Sequence, residues 1–207
     1  MPNNLTPLEI DALTEIFNIG IGRAANSLNQ MVSQTVDLTI PEIEILPNKD
    51  AINKLDIDNS VEISAVTQQF SGDFEGQALL MFSKENGLQL VSLLLGNKIP
   101  IEDLSELEQD SLVEIGNVIL NACFGTVINF LKSSISIEMP EFIQGNLNKI
   151  FTYSSEQDWS LYIKVKFTLP SEKIAGHISF IMDITSLEIF QESVRKFVFG
   201  ITSKAQG

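Results

Sequence analysis

Residues 6–22 read TPLEIDALTEIFNIGIG and residues 105–121 read SELEQDSLVEIGNVILN, the second stretch echoing the first at a displacement of 99 positions. The displacement lays Thr6 on Ser105, Leu8 on Leu107, Glu9 on Glu108, Asp11 on Asp110, Glu15 on Glu114 and Asn18 on Asn117, and it carries Pro41 onto Pro140. An Asp-x3-Glu-x2-Asn triplet, followed by a proline 23 residues beyond the Asn, is therefore written twice. A repeat at fixed spacing constrains architecture before any single element is assigned. The chain is expected to contain two copies of one unit, about residues 5–98 and 104–199, packed as a single domain over residues 1–207.

Both stretches are punctuated as helices. Thr6 stands at the N-cap, Pro7 at the first helical position and Glu9 three residues after the cap, a capping box that Ser105 and Glu108 repeat. In the first copy Leu8, Leu13, Ile16, Ile19 and Ala24 supply an apolar face, whereas Asp11, Glu15, Asn18 and Gly22 fall at i, i+4, i+7 and i+11 on one other face. The second copy sets Asp110, Glu114, Asn117 and Asn121 in the same row. The helices are expected to run to about Met31 and Leu131. Gly20 and Gly22 would each cost about 1 kcal/mol relative to Ala in a helix interior, which leaves open either tight packing or a break near residue 20.

Outward from each helix the pattern changes from period 3.6 to period 2. TVDLTIPEIEIL (35–46) reads as a strand interrupted by Pro41, and SISIEMPEFI (134–143) answers it with Pro140. Residues 47–60 read as a short helix or loop. VEISAVTQQFSG and DFEGQALLMFS form a hairpin, reproduced by residues 160–169 and 174–183, and TYSSEQDW (152–159) reads as a hairpin connection. Each unit closes on a helix, residues 84–95 stopped by Gly96 and residues 186–199. The expected fold is α+β: a pseudo-twofold duplication of a helix–strand–hairpin–helix unit, with helices packed on an antiparallel β-sheet. Only the short NKIPIED turn joins the halves. Phe70, Phe74, Phe82, Phe167 and Phe180 fall at strand spacing and are assigned to the core.

Composition narrows the chemistry. With 207 residues and 44% hydrophobic content the chain has ample material for a core, and 13 basic against 27 acidic residues give a net charge of −14. That balance argues against nucleic-acid binding and against an anionic membrane. No run approaches 18 consecutive apolar residues, so no membrane span is expected. The start MPNNLTPLEID lacks the regions of a signal peptide, and a cytoplasmic location is expected. One His177 and one Cys123 cannot build a His/Cys metal cluster or a Ser-His-Asp or Cys-His nucleophile, and both residues are assigned structural roles.

The polar rows remain. A solvated helix face explains one such row, but two copies that keep Asp, Glu and Asn at the same spacing while neighbours diverge, as Phe17 does from Gly116 and Arg23 from Ala122, ask for more. Glu and Asn three residues apart are neighbours on a helix surface. The Asn amide does not titrate usefully, yet it can hold a water by accepting one hydrogen bond and donating another. That suits reactions dominated by positioning, of which phosphoryl transfer to water is the leading case. No P-loop, GxGxxG or Arg cluster is present, so the substrate would bring its own phosphate site and metal.

The doubled Asp-x3-Glu-x2-Asn-x22-Pro pattern, with NIGIGRAANSL after the first Asn and GDFEGQALLMF in the first hairpin, resembles the CheC/CheX/FliY family of chemotaxis phosphatases. The likeness covers nearly the whole chain and is strongest to the stand-alone, two-motif CheC branch. It implies dephosphorylation of a CheY-like response regulator in two-component chemotaxis signalling. Asn18 and Asn117 would align the attacking water, and Glu15 and Glu114 would pair with the receiver's active-site Lys. Asp11 and Asp110 would play supporting parts. The protein would need no cofactor of its own, the Mg²⁺ belonging to the receiver, and a monomer is compatible with the resemblance, which leaves the oligomeric state open. Phe17 stands where the family's Glu-x-Gly-Asn run has Gly, as Gly116 does, and a ring there implies an altered docking surface at the first motif. The resemblance also admits a non-catalytic scaffold for a phosphorylated receiver or a CheD-like deamidase. A flagellar-switch subunit, its third option, would carry additional terminal regions.

Overall fold

Thr6 opens the first helix with both halves of its capping box: its backbone N–H donates to Glu9 Oε2 at 2.7 Å, and the Glu9 N–H donates to Thr6 Oγ1 at 3.4 Å. In the computed structural model, which describes residues 5–31, 35–55, 61–95, 105–151, 158–168 and 173–205, helix α1 then runs unbroken over Pro7–Met31. Strand β1 (Asp37–Pro47), helix α2 (Asn48–Lys54), strands β2 (Ile63–Gly72) and β3 (Gly76–Ser83) and helix α3 (Lys84–Leu94) complete the first half. The second half comprises α4 (Ser105–Leu131), β4 (Ile135–Ile137), β5 (Glu141–Gly145), α5 (Leu147–Ile150), β6 (Trp159–Thr168), β7 (Lys173–Met182) and α6 (Ile184–Ala205). The second capping box, the Gly96 stop, the turn that follows it and residues 152–157 lie outside the described residues and side chains.

Two expectations need correction. Residues 134–143 do not form one strand: β4 and β5 are separate pieces, interrupted at Glu138–Pro140, and both pair with β2. The interruption is pinned by Glu138, whose N–H donates to the Gln69 carbonyl at 2.9 Å and whose carbonyl accepts from Gln68 Nε2 at 3.1 Å. A proline near the break has no N–H to give a ladder. Pro41 has a milder setting, since β1 continues past it with only a register shift between Thr39 and Glu42. The second correction is α5, a turn of helix whose N-cap Asn146 side chain accepts from the Lys149 N–H. Four residues are too few for a periodic signal, and TYSSEQDW follows this helix and leads into β6 rather than closing a hairpin.

All pairings are antiparallel, and the path across the sheet is β1-β6-β7-β3-β2-β4, with β5 also on β2. The first strand of each half therefore lies against the hairpin of the other half: β1 on β6, and β4 and β5 on β2. At the centre β3 meets β7 with Leu79 opposite Ser179. Alternation along the strands sends Val66, Leu80, Leu161, Ile178 and Phe180 to the face covered by α1, α3, α4 and α6. Ala65, Leu79, Met81, Tyr162 and Ile181 go to the other, under α2 and α5. The central strands are covered on both sides and are accordingly near-continuous apolar runs.

Helices α1 and α4 pack against each other, and Gly20 explains how. A Cβ there would stand 3.2 Å from the Ala122 carbonyl oxygen and 3.2 Å from Cys123 Cα. The alternative left open by the sequence is thus resolved as close helix–helix approach, with no break. The segment Gln109–Leu131 of α4 is long and apolar enough, by length and composition, to cross a membrane, which the apolar-run criterion did not register. Here that surface is divided between α1, β2 and the aromatic core, and Glu114 and Asn121 stay on an exposed side.

Candidate functional site

The helical period decides which side chains α1 and α4 present. On α1, Leu13, Ile16, Phe17, Ile21 and Ala24 are buried, and Asp11, Glu15, Asn18 and Gly22 are exposed. On α4, Asp110, Glu114 and Asn121 are exposed and Asn117 is half-buried. The structure thus brings each expected row to the surface of its own helix. Side chains at i and i+3 lie about 5–6 Å apart between Cβ atoms, which sets Glu15 beside Asn18 and Glu114 beside Asn117.

Among the described residues neither Asp11, Glu15, Asn18, Asp110 nor Glu114 has an ion-pair or side-chain hydrogen-bond partner. Asp11 with Glu15, and Asp110 with Glu114, are carboxylates one turn apart on one face. Such like-charge pairs destabilise a helix by roughly 0.2–0.5 kcal/mol. Exposed carboxylates that cost stability and, among the described residues, carry no internal contacts are poorly explained as scaffolding.

The rows differ at their last position. Asn121 Nδ2 donates to Asn117 Oδ1 at 2.5 Å, joining the final two members of the α4 row. In α1 the corresponding place is Gly22, where a Cβ would meet nothing within 4 Å. Beside Gly22, Arg23 turns across to α4 and donates from Nη1 to Thr126 Oγ1 at 3.3 Å.

Phe17 and Gly116 also resolve differently from the sequence expectation. Phe17 is 1% exposed, its ring 5.5 Å from that of Phe180, so the ring belongs to the core and is not presented beside Glu15 and Asn18. Gly116 faces the sheet, and a Cβ there would stand 2.6 Å from Val66 Cγ1. The two positions are both inward-facing, one over an aromatic pocket and one directly on β2.

His177 and Cys123 have the structural places expected of them. The Tyr162 hydroxyl lies 2.9 Å from His177 Nδ1 within the sheet layer under α2. Burial, aided by Lys164, lowers the His177 pKa to about 4. Cys123 is buried against α1, and desolvation pushes its thiol up to about 12. Among the described residues no three His, Cys, Asp or Glu side chains converge as a metal site.

Two long helices laid over one face of an antiparallel sheet, each carrying a Glu/Asn pair at its surface, define an α+β protein whose two candidate rows lie on helix faces. Comparison with known proteins is consistent across the chain. Residues 64–164 match the family model described as chemotaxis phosphatase CheX, and residues 8–45 match that of the CheC-like family. The CheY-P phosphatase CheC of Bacillus subtilis is 23% identical over 142 residues, spanning 67% of this chain and 68% of CheC. The crystal structure of Thermotoga maritima FliY superposes with a TM-score of 0.75 at 19% identity, covering 94% of this chain and all of that one. A CheX–CheY–BeF3–Mg²⁺ complex from Borrelia burgdorferi gives a TM-score of 0.52 at 22% identity over 79% of this chain and 96% of that one. These matches together support the CheC/CheX/FliY family, whose named relatives include a CheY-P phosphatase.

Proposed function

We propose that this protein accelerates hydrolysis of the aspartyl phosphate of a CheY-like response regulator. The observation that carries the reading is the doubled Glu/Asn pair at one helix surface each, exposed Glu15 with exposed Asn18 and exposed Glu114 with half-buried Asn117, both glutamates without an internal partner among the described residues, on two helices of a fold shared with CheY-P phosphatases. The receiver supplies the phosphoryl group and its Mg²⁺. Glu15 or Glu114 pairs with the receiver's active-site Lys and fixes the helix over the phosphoaspartate. Asn18 or Asn117 then orients a water in line with the scissile bond. The water oxygen bonds to phosphorus, the acyl P–O bond breaks, and inorganic phosphate and a free aspartate carboxylate result. The rate gain is one of positioning, since neither Glu nor Asn exchanges a proton in this scheme. Asp11 and Asp110, one turn earlier, border the docking surface and act through partner contact.

Phosphate release from a phosphorylated cognate receiver tests this, using wild type, Asn18→Ala, Asn117→Ala and the double variant. Wild type is expected to exceed the receiver's own decay, and the double variant to lose most of the gain, on the order of 100-fold for misplacement of an attacking group. Binding without any increase over the receiver's own decay would replace the phosphatase with a scaffold. A fully active double variant would remove the Asn assignment.

A further inference from the structure

The two Glu/Asn pairs are equivalent in sequence spacing and unequal in how their Asn side chains are held. A free Asn carboxamide on a helix surface samples several χ1 and χ2 settings, with oxygen and nitrogen exchanging places about a roughly two-fold terminal torsion. Only one orientation presents the right group to a water. Asn117 is half-buried, and its Oδ1 accepts from Asn121 Nδ2 one turn further along α4. That bond fixes which end of the carboxamide faces back along the helix and leaves the Nδ2 hydrogens and the second Oδ1 lone pair for a docked ligand. Asn18 is exposed, and the place of the brace is taken by Gly22, with open space around it.

Building on the phosphatase reading, we propose that Asn121 is a positioning residue, which pre-organises Asn117 and makes the α4 site the faster of the two. Asn121 acts on the orientation of its neighbour and has no separate chemical step. Fixing one rotamer-rich side chain before the reaction removes an ordering cost from the transition state, equivalent to about 3- to 10-fold in rate. The effect falls on kcat, because docking by Glu114 does not depend on how Asn117 is turned. The open surface at Gly22 leaves room to install the same brace in α1.

The test isolates each site with full-length protein. In an Asn18→Ala background, where α4 alone works, Asn121→Gly and the similarly sized Asn121→Leu are expected to lower kcat about 3- to 10-fold and change KM less than about 2-fold, while Asn121→Gln, which keeps the donor, stays closer to the parent. In an Asn117→Ala background, Gly22→Asn is expected to raise kcat of the α1 site. Unfolding midpoints of all variants separate these effects from loss of structure. An Asn18→Ala background that releases phosphate no faster than the receiver alone sinks the phosphatase reading of α4, and the brace with it. An active background whose kcat is unchanged by Asn121→Gly and Asn121→Leu overturns the brace alone.

Discussion

Restoring the family's Gly at the first motif, by Phe17→Gly, is expected to damage the protein. Phe17 is 1% exposed and sits among Phe70, Phe124 and Phe180, whose rings are themselves paired, Phe70 with Phe124 at 5.1 Å and Phe124 with Phe180 at 5.2 Å. These rings hang from β2, α4 and β7, so they cannot all move in to fill the space; only a void of about 10 Å³ exists there already. Removing a buried Phe side chain costs about 3–5 kcal/mol, and Gly in a helix interior adds about 1 kcal/mol. The expected loss is about 4–6 kcal/mol, a large share of the roughly 5–15 kcal/mol available to a folded domain. For a chain of this size it corresponds to a fall in Tm of about 10–20 °C. Urea unfolding followed by circular dichroism, with wild type and Phe17→Leu as references, measures it. Phe17→Leu is expected to cost roughly 1–2 kcal/mol and to leave receiver dephosphorylation intact. A loss below about 2 kcal/mol for Phe17→Gly with an unchanged urea slope would refute the core placement of the ring.

Two glycines should respond in opposite directions to alanine. Gly22→Ala, in open space, is expected to stabilise by up to about 1 kcal/mol through helix propensity. Gly116→Ala is expected to destabilise by about 1–2 kcal/mol because the new methyl would press on Val66. Denaturant titrations that reverse this order would contradict the seating of α4 on β2. His177 should give the stability curve an acid slope. Its folded pKa of about 4 lies below the unfolded 6.5, so between these values the unfolded chain binds the proton and the folded chain does not. The contribution is fully present above pH 6.5, is lost as pH falls towards 4, and amounts to about 3 kcal/mol. His177→Gln should flatten that interval in unfolding measurements; an unchanged slope would assign the acid sensitivity to other groups.

The long helices were the most legible part of the molecule because their signals are local. The Thr6–Glu9 box, the 3.6-residue apolar period and the exposed Asp11–Glu15–Asn18 row all follow from residues within a few turns of one another. What the sequence did not disclose depends on distant partners. Gly20 reads as a possible break until Ala122 and Cys123 of α4 are set against it, and Phe17 reads as a surface change until Phe180 is found beneath it. The strand through Pro140 looked like the counterpart of the strand through Pro41, yet the bonds of Gln68 and Gln69 to Glu138 hold it in two pieces. In the candidate site, the residue types and their exposure were readable from periodicity. The bond from Asn121 to Asn117 was not, because spacing places side chains on a face without saying how they turn.

The crossed pairing of the halves also bears on how the chain emerges from the ribosome. Strand β1 pairs with β6, and Asp37 lies opposite Thr168, 131 residues later. At about 5–20 residues per second, β1 waits roughly 7–26 s for its partner to be synthesised. During that interval Leu38 and Ile40, and beyond the register shift Ile43 and Ile45, would present unpaired apolar strand of the kind that recruits other chains. Pro41, Glu42 and Glu44 interrupt it with a missing donor and two like charges, the devices that keep such strands from stacking. A fragment ending at residue 98 and carrying Pro41→Val should therefore aggregate faster than the unaltered fragment by light scattering, and equal rates would deny the proline this part. On that outcome the proline of the first motif would serve the chain before its second half exists.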